Sequence, residues 1–148
     1  MKLPIALSAL TAILIAVPAA AGPEAFKTGP LIEGHGENAA VPAAAPLPAD
    51  AHFRIAFDVA EKAEDGKANR RINSAARFLN MHVAAGTPAE NLQIAIVVHG
   101  PAVGDLLNDE AFGGVNPSAG LISALIDHGV SIEMCGQTAA YRDISQED

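Results

Sequence analysis

Large apolar residues fall on every second position of Phe53-Arg54-Ile55-Ala56-Phe57-Asp58-Val59, the period of a β-strand with one buried side. After Gly66 the spacing changes: Ile72, Ala75, Ala76, Leu79 and Val83 recur at three- and four-residue intervals and Gly86 follows. This predicts an amphipathic helix with a glycine stop. Leu92 to Val98 is a nearly continuous β-branched run ending in His99-Gly100-Pro101, the pattern of a buried central strand. Val103, Leu106 and Leu107 predict a short helix, and Asp109 to Gly114 a mobile loop. Asn116-Pro117 then puts a capping side chain before a proline at the first helical position, and Leu121, Ile122, Leu125 and Ile126 supply a buried stripe up to Gly129. Finally Val130, Ile132 and Met134 alternate with Ser131, Glu133 and Cys135, giving a third strand.

Strands alternating with helices predict an α/β fold: a single compact domain over residues 52–148 with a mostly parallel sheet, flanked by helices on both faces. Residues 22–51 show no sustained period. They hold five prolines, many alanines and Gly34-His35-Gly36, which reads as an extended arm with His35 as a solvent-exposed loop residue. Residues 1–21 join Lys2 to an apolar run ending at Val17 and then to Pro18-Ala19-Ala20-Ala21, the layout of a secretory signal peptide cleaved near Ala21. The expected location is therefore the periplasm, with no membrane association after cleavage.

Charge narrows the partners. The chain carries a formal charge of −8, and loss of Lys2 with the signal segment leaves 8 basic against 17 acidic side chains. Such a balance repels nucleic acid and anionic membrane, so neither is expected as a partner. Arg70, Arg71 and Arg77 fall within one predicted helix and read as a solvated or ion-paired face. A single cysteine excludes a disulfide-rich scaffold, so an apolar core must hold the domain. Five scattered histidines without ligand spacing give no metal site, and the absence of a G-x-G-x-x-G or Walker motif gives no nucleotide cofactor.

Ligands of open parallel sheets collect beyond the carboxyl ends of the strands. Those ends carry Asp58, His99 and Cys135, each on the strand parity opposite the bulky apolar residues. Cys135 also precedes a segment, Gly136 to Tyr141, that can start a helix, a placement that favours thiolate. A neighbouring His99 would assist by ion pairing or proton transfer. Position alone leaves three roles open for this thiol: a reactive group, a small buried hydrophobe, or half of an inter-subunit disulfide.

Three motifs in order, Asn73-Ser74 through Asn80-Met81-His82, then Val98-His99-Gly100, then Cys135-Gly136-Gln137-Thr138, resemble the exported branch of the DsrE/DsrF-like family. The likeness spans about Phe53 to Ile144. It implies a compact α/β fold assembled as a homo-oligomer, a trimer or hexamer, and a cysteine that carries sulfur as a persulfide between a donor and an acceptor protein. Carried onto this chain, that role falls on Cys135, with Gly136 permitting a tight turn and Asp58, Asn73, His99, Gly100 and Gln137 as binding residues nearby. Relatives continue past the Cys-Gly motif through another strand and usually a helix, so the resemblance implies either a truncated reading frame, the preferred reading, or a member that lacks this edge of its sheet. Two functions follow as expectations: a sulfur carrier with sulfurtransferase-like thiol chemistry, or a non-catalytic oligomeric module that binds a small ligand and uses Cys135 structurally.

Overall fold

The computed structural model describes residues 22–41, 44–48 and 50–148; the expected signal segment, 1–21, lies outside the described residues. Three parallel strands form the sheet: β1 (Phe53–Val59), β2 (Leu92–Val98) and β3 (Ser131–Met134). Their spatial order equals their chain order, with Phe53 opposite Leu92 and Val98 opposite Met134. Helix α1 (Arg70–Ala84) crosses from β1 to β2, while α2 (Asp109–Phe112) and α3 (Ala119–Asp127) lie between β2 and β3, and α4 (Gly136–Arg142) follows β3. No helix among the described residues is long and apolar enough to cross a membrane.

The expected parallel α/β sheet with flanking helices is present, but it is covered on one face rather than two. Ile72, Ala75, Ala76 and Leu79 of α1 and Leu121 and Leu125 of α3 are buried in one core with Val59, Ile94, Ile96 and Val98. On the other parity, Arg54, Ala56, Asp58, Gln93, Ser131 and Glu133 are exposed. Strand order explains this: a chain that steps across a sheet in one direction, always with the same crossover hand, puts every crossover helix on the same side. Alternation in a strand shows that one side is buried and carries no information about strand order.

Residues 22–41 are not a free arm. Ile32 is fully buried in the domain core, and the side chain of Asn80, itself 0% exposed, clamps the backbone around it. Asn80 Oδ1 accepts from the N–H groups of Leu31 (3.1 Å) and Ile32 (2.7 Å), and Nδ2 donates to the carbonyls of Ile32 (3.1 Å), His35 (2.9 Å) and Gly36 (3.1 Å). Gly36 has φ +65°, and a Cβ there would sit 2.4 Å from the Ala76 carbonyl carbon and the Arg77 nitrogen. The close crossing over α1 thus requires glycine both for its backbone angle and for its lack of a side chain. Arg77 Nε donates to the Glu37 carbonyl at 2.7 Å, and Arg71 pairs with Glu61 at 3.2 Å, so these cations serve as an ion-paired and hydrogen-bonded helix face.

Buried polar side chains fix the loops at the carboxyl end of the sheet. Asn69 caps α1 by accepting from Arg71 and Ile72, while its Nδ2 donates to Asp105 Oδ2 at 2.6 Å and its N–H donates to Ser118 Oγ at 2.9 Å. Asn116 is buried and donates to the carbonyls of Asp105 and Leu107. Its Nδ2 thus braces the crossover, while its Oδ1 accepts from Ser118 N–H at 2.9 Å, the expected capping bond ahead of Pro117 and α3. The segment expected to be a mobile loop, Asp109 to Gly114, contains α2, capped by the Asn108 side chain and ended by Gly113 at φ +81°. The loop expectation missed it because a four-residue helix is too short to show a period.

Candidate functional site

Backbone hydrogen bonding continues one residue beyond each strand. His99 N–H donates to the Val59 carbonyl and Cys135 N–H to the Val98 carbonyl, both at 2.9 Å. Parallel pairing therefore holds the three strand ends level, and the pleat points Asp58 and His99 to the open side of the sheet. His99 Nε2 lies 2.9 Å from Asp58 Oδ1, a pair formed between adjacent strand ends that the sequence separates by 41 positions. The histidine is partly exposed and the carboxylate largely so.

Gly100 follows in the left-handed region, φ +56°, where glycine is favoured, and turns the chain into a 3₁₀ segment over Gly100–Leu106. Its N–H donates to Thr138 Oγ1 at 3.4 Å, which links the end of β2 to the first turn of α4. Cys135 is the N-cap of α4 and a partly exposed free thiol. Its pKa is lowered first by the Thr138 N–H, then by the Thr138 hydroxyl and the Gln137 N–H, against a smaller opposing effect of desolvation. These donors stabilise the thiolate, the nucleophilic form. All of them lie on the residue's own helical turn, and His99 contributes none of the lowering.

The remaining expected residues separate. Gln137 supplies a backbone donor to the thiol. Gly136 has no left-handed φ, and a Cβ on it would meet nothing within 4 Å, so the turn does not depend on glycine there. Asn73 directs both ends of its amide to residues 36 and 37: Oδ1 accepts from Gly36 N–H at 2.8 Å and Nδ2 donates to Glu37 Oε2 at 3.2 Å. Thr138 was not among the expected site residues. Its three-residue distance from Cys135, the spacing of an N-cap and the residue that faces it, was the available signal.

A model of the DsrE/DsrF-like family matches residues 54–148. The chain belongs to the DsrE/DsrF-like family. No curated protein and no solved structure gives a match. The family match takes in β2, β3, the four helices and all of β1 but Phe53, and starts after the docked segment that Asn80 holds. In this DsrE-like chain the end of β2 thus carries a histidine paired with the Asp58 carboxylate, and the end of β3 a partly exposed thiol whose pKa is lowered by its own helical turn. Among the described residues, no three His, Cys, Asp or Glu side chains converge as a metal site.

Proposed function

We propose that this DsrE-like protein is an exported sulfur carrier in which Cys135 accepts sulfane sulfur and presents it to a partner as a persulfide. The observation that carries this reading is the first turn of α4, where Thr138 and Gln137 direct donors at a partly exposed thiol and lower its pKa. Family membership adds the association with sulfur relay. In the loading step the Cys135 thiolate attacks the terminal sulfur of a donor persulfide. A bond forms between Sγ and that sulfur, the donor's sulfur-sulfur bond breaks, and the electron pair leaves on the donor thiolate, which takes up a proton. There is no net redox change and no external oxidant. Transfer to an acceptor thiol repeats the same exchange with the roles reversed.

His99, held by Asp58, lies at the adjacent strand end and suits the handling of the proton that leaves with the donor thiol. Periplasmic location follows from the signal-like segment at 1–21. Assembly as a homo-oligomer is part of the same proposal, supported by the open sheet face, since parallel sheets are ordinarily covered on both sides. The mature protein treated with a persulfide donor is expected to gain the mass of one sulfur atom, released by reductant. Absence of the adduct from wild type, or the same adduct on Cys135→Ser, overturns the reading.

A further inference from the structure

The loop after β1 and the crossover after β2 frame a cavity of about 460 Å³, drawn from residues 62–67 and 101–117; Asp58, His99 and Cys135 have no part in its wall. That is the size of a pocket for a small organic molecule, at the end of a parallel sheet where ligands ordinarily bind. Ala63, Pro101, Leu107, Ala111, Phe112 and Pro117 give it an apolar wall, and Phe112 is left 40% exposed. One charged side chain in that wall is buried. Asp105 is 6% exposed, and the two donors that hold its carboxylate, Ala63 N–H at 2.8 Å and Asn69 Nδ2 at 2.6 Å, converge on Oδ2. Among the described residues Oδ1 has no hydrogen-bond partner, yet it is not sealed in, since the buried side-chain polar atom without a partner is Thr87 Oγ1. The free oxygen therefore reaches the surface, and the surface that Asp105 shares is the cavity. The brace from Asp105 to the β1 loop and to the cap of α1 is complete without it.

Charge decides what the cavity takes. On its rim Lys62 pairs with Asp65 at 3.7 Å and Lys67 with Glu64 at 2.6 Å, which leaves Asp105 as the charge in this wall without a counter-ion among the described residues. A carboxylate withdrawn from water and left unpaired is costly, so an entering cation gains a pairing that the protein does not supply. The formal charge of −8 also draws cations toward the chain. Engaged lysines disfavour an anion. A metal ion is disfavoured as well, because among the described residues no three His, Cys, Asp or Glu side chains converge. We propose that this cavity binds a small organic ammonium ion, a protonated primary amine with an apolar body, whose N–H group donates to Asp105 Oδ1 while the body lies against Leu107 and Phe112. Neither Cys135 nor His99 takes part, so amine binding and sulfur loading stand or fail independently.

The test titrates benzylamine, cyclohexylamine and isopentylamine, all protonated at pH 7, into the isotope-labelled protein beside benzyl alcohol, cyclohexanol and isopentanol, with backbone amide shifts followed by NMR. At least one amine is expected to move the Ala63, Gly104 and Ala111 amides saturably in the millimolar range. The matching alcohol is expected to bind roughly tenfold more weakly, because a hydrogen bond between charged partners is stronger than one from a neutral hydroxyl. Asp105→Asn keeps an oxygen for Ala63 and Asn69 and turns an NH₂ group to the cavity, so amine affinity should fall roughly tenfold while alcohol affinity holds. A thermal melt shows whether this variant folds; if it does not, the comparison of amine with alcohol on wild type decides alone. No movement of these amides by any of the three amines overturns the proposal, as do alcohols that bind as tightly, or a folded Asp105→Asn that keeps the amine affinity.

Discussion

Asn80 and Cys135 both sit where a polar side chain meets backbone N–H groups, and they use them in opposite ways. Asn80 is fully buried and has both ends of its amide occupied, five hydrogen bonds in all, holding a segment 44 to 49 residues away in the chain. Cys135 is partly exposed, makes no side-chain cap hydrogen bond as a thiol, and faces donors that gain most when the sulfur carries charge. A buried amide whose hydrogen bonds are complete contributes stability, and losing it leaves several backbone groups without partners. Donors gathered around an ionisable atom at the surface contribute chiefly to how readily that atom ionises.

The comparison is most exposed at the buried site. Asn80→Ala removes the partners of Leu31, Ile32, His35 and Gly36 and is expected to destabilise the protein by about 3 kcal/mol or more, read as a lower urea midpoint. An unchanged midpoint would show that the clamp contributes nothing. Gly36→Ala comes next, at about 2 kcal/mol, because the new Cβ meets the α1 backbone at 2.4 Å and the residue must keep φ +65°. Limited proteolysis should then cut within residues 22–41 much faster than in wild type, with Cys135 alkylation unaltered. Loss of thiol reactivity in that variant would contradict the separation of the two sites.

The smallest effect concerns Glu37. Its pKa is held below the ordinary 4.5 first by its own backbone N–H and then by the Asn73 amide, with a weaker contribution from Arg77. A depressed folded-state pKa means that this interaction contributes its full stability above the unfolded value and loses it as pH falls through the folded value. Glu37→Gln is therefore expected to be less stable than wild type at neutral pH by under about 1 kcal/mol, given how exposed the carboxylate is, and to converge with it below pH 4.5. A difference that grows on acidification would reverse the sign and remove Glu37 from the docking contact.

Most of the sheet was legible because strand period and helix period are local properties. Phe53–Val59 and Leu92–Val98 have the bounds that alternation and β-branching indicate. The strand-end residues were legible for a related reason: parallel strands of similar phase bring their carboxyl ends together, so Asp58 and His99 form a pair that their 41-residue separation does not suggest. Docking of residues 22–41 was not legible. Its apolar contribution is Ile32 with the partly buried Leu31, and its partner Asn80 reads locally as one polar residue on an amphipathic helix. Asn116 was legible in part: Asn-Pro is a strong local signal and its Oδ1 does accept from Ser118 N–H, whereas the carbonyls of Asp105 and Leu107 that its Nδ2 reaches are set by tertiary packing. One-sided coverage of the sheet depends on strand order, which no single element encodes.

The seam between the docked segment and α1 also sets where this protein can be divided. A fragment started at residue 54, the first position of the family match, would retain all of the sheet and helices named above except Phe53, the first residue of β1, yet lack Ile32 and the backbone that Asn80 binds. It would expose Asn80 together with the apolar side chains packed on Ile32, turning a finished surface into an adhesive one. Expression of the family-matched portion by itself should accordingly yield aggregates, whereas a chain started at Gly22 carries its own cover and is the smaller unit suited to handling in solution.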